Sequence, residues 1–369
     1  MEFSIQREKL LKPLKDVIGV LEQRQILQIL SHVLICAKKK QLTITATDSE
    51  IELTGEVILD SPVDLPLETT LPGRKLMDIC RTLPENAILQ IELKDNQAII
   101  CSGNSRFVLT TLPANTFPNI TLATEHNEFT ISQKDFRFLI NRTQLAMAQQ
   151  DVRYFLNGML LEVNEGLIRT VATDGHRLAI NTVTASIVNN TFIQAIIPRK
   201  SITELNRLLD DTELDLLITV SANHIQIKAG HFTFISNLID GRYPEYKKII
   251  PKDGNKTIRL DCNQFKQTLA RVAILANETF RGVRLQLRKS FARILANNPE
   301  QEIAEEQIVL NYDGDDIDIG FNINYLIDVL TTIGAGTVKF TFSSPAESVL
   351  IEEEGGEGNS LFVIMPITL

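Results

Sequence analysis

The chain repeats itself three times, and that restricts its fold more than any other feature. SIQREKLLKPLKDVIGVL at 4–21 is echoed by TISQKDFRFLINRTQLAM at 130–147 and RLDCNQFKQTLARVAILA at 259–276. TATDSEIELTGEV at 45–57 is echoed by TVATDGHRLAINTV at 170–183 and LANNPEQEIAEEQI at 295–308. A third set is LPGRKLMDICRTL (71–83), IPRKSITELNRLL (197–209) and GFNINYLIDVLTTI (320–333). A fourth is FVLTTLPANTFP (107–118), FTFISNLIDGRYP (232–244) and the terminal FVIMPITL. Asp48 to Asp174 is 126 residues and Asp174 to Asn298 is 124, close to one third of 369. Four echoes in one order at one period imply three copies of one unit. The polar stretches NITLATEHN (119–127) and PKDGNKT (251–257) fall where boundaries belong, which divides the chain into 1–122, 123–254 and 255–369.

Within a copy the order reads helix, strands, helix, strands. Leu10, Leu11, Leu14, Val17, Ile18 and Leu21 form one apolar stripe at helical spacing. Phe136, Leu139, Ile140 and Met147 repeat it, as do Phe265, Leu269, Val272 and Ala276. The second helix of a copy follows Pro72 or Pro198, since proline suits a first turn. Alternating runs such as QLTITATDSEIELTGEV and HIQIKAGHFTFISNLI suit antiparallel strands with one face on the helices and one in water. The expected class is α+β, three repeated domains of two helices packed on antiparallel sheets.

Charge is unevenly spread. Six helical segments (7–24, 73–83, 133–150, 198–210, 263–278, 321–333) hold 16 basic and 9 acidic residues, and the rest of the chain holds 21 and 37. The helices are therefore net positive inside a chain of formal charge −9. Lys9, Lys12, Arg74, Lys75, Lys134, Arg137, Arg142, Arg199, Lys200, Arg207, Lys266 and Arg271 carry that charge. Helices on one face of their sheets would turn these residues to a common side and bind phosphate through salt-sensitive contacts. No recognition-helix, zinc-finger or RNP signature is present, so such contacts would not read sequence.

Other classes are disfavoured. No run of 18 uncharged apolar residues exists, which argues against a membrane helix, and the charged start MEFSIQREKLLKPLKD argues against export. Cys36, Cys80, Cys101 and Cys262 are scattered thiols with no zinc spacing, as expected in a reducing cytoplasm. Asp174, His176 and Arg177 could be taken as an acid–base cluster, but Asp-Gly is a turn signal and the repeat positions Asp48 and Asn298 bring no histidine. Asp313, Asp315, Asp316 and Asp318 in YDGDDIDIG read as a hairpin tip rather than a nuclease metal site, and EEEGGEG as a surface loop. No phosphate loop, HExxH or GxSxG occurs. A protein-only scaffold of three repeats would have no use for basic helices. No catalytic residue, metal or cofactor is expected.

The stretches REKLLKPL, DICRTLP, SRFVLTTLPA, QDVRYFLNGML, TVATDGHRLA, IPRK, DGRYPEY, RVAILANETFRGVRL, NNPEQEIAEE and VIMPITL carry a resemblance over essentially the whole chain. It resembles the bacterial sliding clamp, the beta subunit of the replicative DNA polymerase III. The resemblance implies a head-to-tail dimer forming a six-domain ring around duplex DNA, helices lining the hole and sheets outside. It implies a cytoplasmic, non-catalytic processivity factor. Helices of about 16–18 residues, about 24–27 Å long, would span the DNA grooves rather than enter them.

By resemblance, DNA contacts fall on Arg24, Gln150, Arg153, Tyr154 and Phe155, beside Lys12, Arg74, Arg137, Arg199 and Lys200 of the helices. Phe155 stands where a second tyrosine is frequent. The resemblance also implies a pocket for short peptides of the replicative polymerase, the clamp loader, translesion polymerases and repair proteins. Its residues would be Leu156, Thr173, Gly175, His176, Arg177, Leu178, Pro244, Lys248, Ile249, Asn322, Tyr325, Ser348, Val363, Met365, Pro366 and Ile367. Lys248 replaces a common arginine and so gives up bidentate carboxylate recognition; Thr368 replaces another. The homodimer contact would set Lys75, Arg106, Phe107 and Leu109 against Ile274, Leu275, Glu300, Glu302, Glu305 and Glu306, with Ile303 where a further acid is usual.

Overall fold

Ten elements recur in one order three times in the computed structural model, which describes residues 2–21, 27–121, 123–185, 192–252, 254–355 and 359–368. The first set is β1 (Glu2–Gln6), α1 (Arg7–Ile18), β2 (His32–Lys38), β3 (Gln41–Thr47), β4 (Ile51–Ile58), β5 (Leu67–Pro72), α2 (Gly73–Thr82), β6 (Ile88–Lys94), β7 (Gln97–Ser102) and β8 (Ser105–Thr110). The second is β9 (Asn127–Ser132), α3 (Gln133–Thr143), β10 (Gly158–Asn164), β11 (Leu167–Thr173), β12 (Arg177–Thr184), β13 (Ile193–Pro198), α4 (Arg199–Leu208), β14 (Asp215–Val220), β15 (His224–Ala229) and β16 (Phe232–Asn237). The third is β17 (Lys256–Asp261), α5 (Cys262–Val272), β18 (Gly282–Arg288), β19 (Phe291–Asn297), β20 (Ile303–Val309), β21 (Ile317–Asn322), α6 (Ile323–Ile333), β22 (Thr337–Phe342), β23 (Val349–Glu354) and β24 (Leu361–Ile364).

Three expectations are corrected. Each set opens on a strand, not a helix: Ser4 to Gln6 alternate in burial and pair with β6, Ile5 opposite Leu89. The helices are also shorter than expected, at 10 to 12 residues, or about 15–18 Å. After α1 the amides of Val20 and Leu21 bond back only three residues, to Val17 and Ile18. After α3 the Thr143 hydroxyl donates to the Leu139 carbonyl at 2.8 Å, and the chain tightens into a 3₁₀ turn at Gln144–Ala146; α5 ends the same way at Ala273–Leu275. Finally, YDGDDIDIG is not a hairpin tip, because β20 and β21 lie at opposite edges of their sheet.

The strands build two compact units, Met1–Lys134 with Thr203–Leu238, and Asp135–Ile202 with Ile239–Leu369. The first holds an eight-stranded sheet, β5-β2-β3-β4-β16-β15-β14-β9, and a four-stranded one, β1-β6-β7-β8. In the second unit the corresponding sheets are β13-β10-β11-β12-β24-β23-β22-β17 and β20-β19-β18-β21. Each long sheet is four strands of one copy continued by four of the next. In the first unit α1 buries its predicted stripe on β3, β4 and α2. Pro13 of α1 sits so close to β4 that a Cβ on Gly55 would lie 2.7 Å from its own, so glycine is required there.

The two copy-to-copy junctions share one register. Phe234 faces Leu53 and Ile235 faces Glu52 at β16–β4; Phe362 faces Ala179 and Val363 faces Leu178 at β24–β12. After β8, β16 and β24 the chain then crosses to equivalent strands of its own copy. Leu112 bridges Thr70, the Ile239 amide reaches the Ile196 carbonyl at 2.9 Å, and the Ile367 amide reaches the Gly320 carbonyl at 2.8 Å. The repeat is thus kept at the level of single residues.

Candidate functional site

The second unit carries an apolar shelf where β12 meets β24. Two rows of side chains run across the sheet on the same face. One is Ile196, Leu160, Val171, Ile180 and Leu361; the other is Thr173, Leu178, Val363 and Leu350. Alternation along each strand puts them on one side, as the β period requires. Tyr243 and Tyr246 complete the buried cluster, and Phe155, Ile239, Ile249 and Ile250 pack against it half-buried. Leu156, Leu178 and Val363 are almost fully buried, whereas Met365, Pro366 and Ile367 remain half-exposed beyond β24.

A built turn closes one end. Asp174 Oδ1 accepts from the amides of His176 (2.9 Å) and Arg177 (3.0 Å), while Thr173 Oγ1 accepts from Gly175 (3.1 Å) and donates to the Arg177 carbonyl (2.7 Å). Gly175 sits at φ +89°, a left-handed conformation that glycine adopts at no cost, and a Cβ there would meet the Arg153 guanidinium at 2.9 Å. The His176 carbonyl accepts from the Met365 amide at 2.8 Å, which ties the turn to the segment after β24. Arg177 is clamped by Asp174 (3.0 Å) and Asp328 of α6 (2.6 Å), and its guanidinium lies over the Tyr325 ring, 4.4 Å from the centroid. The sequence thus led to Arg177 and Tyr325 without showing that two carboxylates fix the arginine.

Tyr243 and Tyr246 are supports that sequence reading missed; DGRYPEY was the signal. The Thr173 amide donates to the Tyr243 hydroxyl at 3.1 Å, and burial holds that phenol well above its ordinary range. The Tyr246 hydroxyl donates to Glu162, and burial plus that carboxylate push it up to about 12. Burial alone would raise Glu162, but the hydrogen bonds from Tyr246 and Gln194 outweigh it and hold the carboxylate ionised below its usual value. At the rim, Pro244 and Ile249 are half-buried, Lys248 is exposed and pairs with Glu245, Asn322 caps α6 by accepting from the Asn324 amide (3.0 Å), and Ser348 is half-buried. The arrangement is a rigid apolar floor with a few polar groups at its edge, the form of a binding pocket rather than of an acid–base centre. Both oxygens of Asp174 are already engaged by Arg177 and the turn amides.

The residues expected at DNA divide by environment. Arg24 lies outside the described residues. Gln150, Arg153 and Tyr154 stand exposed on one loop, Gln150 at φ +56°. Asn157 brackets that loop, accepting from the Asp151 amide and donating to the Asp151 carbonyl, both at 2.9 Å. Arg153 holds Asp151 through two nitrogens and lowers that carboxyl to about 2. Phe155 is half-buried with the shelf, its ring edge-on to Tyr154. Lys12 is exposed, Arg137 and Lys200 are half-buried, Arg74 donates to the Leu21 carbonyl at 2.5 Å and Arg199 to the Met147 carbonyl at 2.6 Å.

Part of the helical positive charge is used inside the chain, which corrects the simple count. Arg142 is buried between Glu353 (2.9 Å) and the Phe138 ring. Lys9 pairs with Asp60, Lys134 with Glu213, Arg207 with Glu204 and Arg271 with Glu306.

Of the residues expected at a subunit contact, Lys75, Arg106, Ile274, Glu300 and Glu302 are exposed, Phe107 and Leu275 half-buried and Leu109 buried. Glu305 pairs with Arg293. Ile303–Val309, which includes the end of NNPEQEIAEE, is an edge strand. Among the described residues no cluster of three or more metal-ligating side chains is found, and no helix is long and apolar enough to cross a membrane. Within EEEGGEG, Glu352 to Glu354 close β23, and 356–358 lie outside the described residues.

Comparison with known proteins agrees with this geometry. Three family models match in order: DNA polymerase III beta subunit N-terminal domain at residues 1–121, central domain at 130–245 and C-terminal domain at 247–368. The chain is 47% identical over 369 residues to the beta sliding clamp of Pseudomonas aeruginosa, and 43% identical over 371 residues to that of Escherichia coli K12, each covering 100% of both chains. Crystal structures of the DNA polymerase III subunit beta from Pseudomonas aeruginosa (47% identity, TM-score 0.97) and of the same organism's clamp bound to griselimycin (47%, 0.96) each cover both chains fully. The Caulobacter crescentus protein, at 33% identity, superposes with a TM-score of 0.93 over 100% of both chains. The chain therefore belongs to the DNA polymerase III beta subunit family, the bacterial beta sliding clamps.

Proposed function

We propose that the shelf at β12 and β24 is the site through which this clamp holds its partners. As a sliding clamp the chain is a non-catalytic processivity subunit that encircles duplex DNA and tethers the replicative polymerase. The clamp loader, translesion polymerases and repair proteins would use the same shelf, and the place of action is the cytoplasm. The observation that carries the reading is the pair of apolar rows ending in Leu178 and Val363, with Met365 and Pro366 half-exposed beside them. Leucine or phenylalanine anchors of an extended peptide fit such a floor, and Met365 adapts to either.

DNA is held topologically, so its contacts are weak and interchangeable. Exposed Lys12 and other basic groups of the helices, with Arg153 of the loop, meet phosphates; salt screens them, and no base is read. The clamp loaded onto nicked circular DNA is expected to stay bound, and to be lost when the circle is linearised. Equal retention on both forms would mean ordinary DNA binding.

The ring closes by the rule already used twice inside the chain. β8 and β20 are open sheet edges. β8 corresponds to β16 and β24, and β20 to β4 and β12. The shared register then sets Val108 opposite the partner subunit's Ile303, Phe107 opposite the partner's Ala304, and Arg106 opposite the partner's Glu305. Val108 is 43% and Ile303 66% exposed in the single chain, as an apolar pair awaiting a partner would be. This contact is heterologous and closes after two copies. Ile303→Asp should convert the dimer to monomer in sedimentation at micromolar concentration; an unchanged dimer would reject the register.

A further inference from the structure

The third copy carries its own version of the shelf, left open. A cavity of about 830 Å³ lies on β18, β19 and β20, bounded by Phe280 on one side and Ile367 on another. Residue equivalence follows from the ladders. Asn322 pairs with Gly282 as Pro198 pairs with Gly158, and the Ile323 amide bonds to Arg281 as the Arg199 amide bonds to Asn157. Phe280 therefore occupies the place of Leu156, Arg284 that of Leu160, Leu295 that of Val171 and Ile303 that of Leu178.

Two differences decide what the groove takes. In the second copy Leu156 is buried at 2% exposure, whereas here its counterpart Phe280 stands 69% exposed. It is held out by a fixed turn in which Asn277 Oδ1 accepts from the amides of Thr279 (2.8 Å) and Phe280 (3.0 Å). Arg284 replaces a buried leucine and is the one charged side chain among the described residues lining the cavity. Its neighbour Asp318 is already engaged by Arg288 (2.6 Å) and Gln286 (2.9 Å). An exposed guanidinium beside apolar walls suits a carboxylate carried next to an apolar side chain.

We propose that this groove is a second docking site, for an extended peptide segment with an apolar side chain adjacent to a carboxylate, and that Val108 of the partner subunit completes it. The completion rests on the dimer register proposed above, which puts that valine where Val363 stands in the second-copy shelf. The volume is within the range of ordinary ligand pockets. Unlike the second-copy shelf, which selects by apolar anchors, this one selects by charge as well.

The test uses the full-length dimer and a capped probe peptide holding leucine, aspartate and a benzophenone-bearing phenylalanine, photo-crosslinked and mapped by mass spectrometry. Adducts are expected at 277–303 as well as at 154–178. Arg284→Glu, or asparagine for the probe's aspartate, should cut the 277–303 adducts at least tenfold and change those at 154–178 less than twofold; Arg284→Ala repeats the test without reversing the charge. Adducts confined to 154–178, or 277–303 adducts indifferent to both changes, would overturn the proposal, as would a groove filled by the partner's own chain. Labelling at 277–303 alone would support it while rejecting the shelf assigned above, and silence at both would reject both.

Discussion

At the β4–β16 junction one outward row reads Thr70, Leu34, Thr45, Thr54 and Thr233, where the β12–β24 junction reads Ile196, Leu160, Val171, Ile180 and Leu361. The next row reads Thr47, Glu52 and Ile235 against Thr173, Leu178 and Val363. The backbone and the register are the same; Thr70, Thr45, Thr54, Thr233 and Glu52 stand where Ile196, Val171, Ile180, Leu361 and Leu178 stand. In the first unit the polar row bonds to its own chain. Thr45 and Thr54 share a hydrogen bond at 2.9 Å, Thr70 accepts from the Leu112 amide at 3.1 Å, and Glu52 accepts from the Ile120 amide at 2.9 Å. The bonds from Leu112 and Ile120 hold the segment after β8 against the face, and Phe117 between them is buried. The second unit offers an apolar face instead. On the proposed assignment, partner docking is a property of five side chains laid on a repeated scaffold, not of the scaffold, and swapping residues between the junctions tests that directly.

The largest effect is expected from Leu178→Glu, which copies Glu52 into the second unit. Position 178 has Thr173 and Val363 across the strands and packs inside the apolar cluster. Burying an uncompensated carboxylate costs about 3 kcal/mol, seen as a lower denaturation midpoint at unchanged slope, together with loss of peptide binding. If the variant is as stable as the wild type, the difference between the junctions does not lie in these rows.

A smaller effect separates the two turns. Asp48 Oδ1 accepts from the amides of Glu50 (2.8 Å) and Ile51 (2.7 Å), as Asp174 does from His176 and Arg177. Asp48→Ala and Asp174→Ala should each cost about 1–2 kcal/mol. Only Asp174→Ala should also weaken peptide binding, because Arg177 then keeps Asp328 alone. Parallel calorimetry on the two variants checks this, and equal peptide affinity in both would detach Arg177 from the site.

How much of this was visible in the sequence depends on range. The threefold repeat, the α+β class and the helix starts after Pro72 and Pro198 were legible because they are local patterns. Strands β1, β9 and β17 were hidden, since a strand running straight into a helix leaves too few residues to show a period of two. Charge at a helix position said nothing of burial: Arg142 finds Glu353 across 211 residues, and only the fold brings them together. The residues proposed for the pocket were reachable through TVATDGHRLA and VIMPITL, but the supporting floor of Leu160, Val171, Ile180 and Ile196 looks like any strand core. The split in chemistry between the junctions became visible only once the ladders aligned Glu52 with Leu178.

The smallest effect concerns Glu52 itself. Burial raises its carboxyl above the ordinary value, against the opposing pull of the Ile120 amide. A carboxyl raised in the folded state binds its proton more tightly there than when unfolded. The folded state is therefore favoured below the unfolded value of about 4.5 and loses that advantage as pH climbs through the raised folded value. At neutral pH the ionised group is a net cost kept for the sake of one hydrogen bond. Glu52→Gln keeps an acceptor for Ile120 without the charge. It should be more stable than the wild type by about 1 kcal/mol at pH 7, with the gap narrowing as pH falls below the raised value and closing near pH 4. Chemical denaturation across that range measures it. A gap that widened on acidification would mean Glu52 is stabilised as a carboxylate, and the first junction would then be held shut by charge rather than by its amide bond.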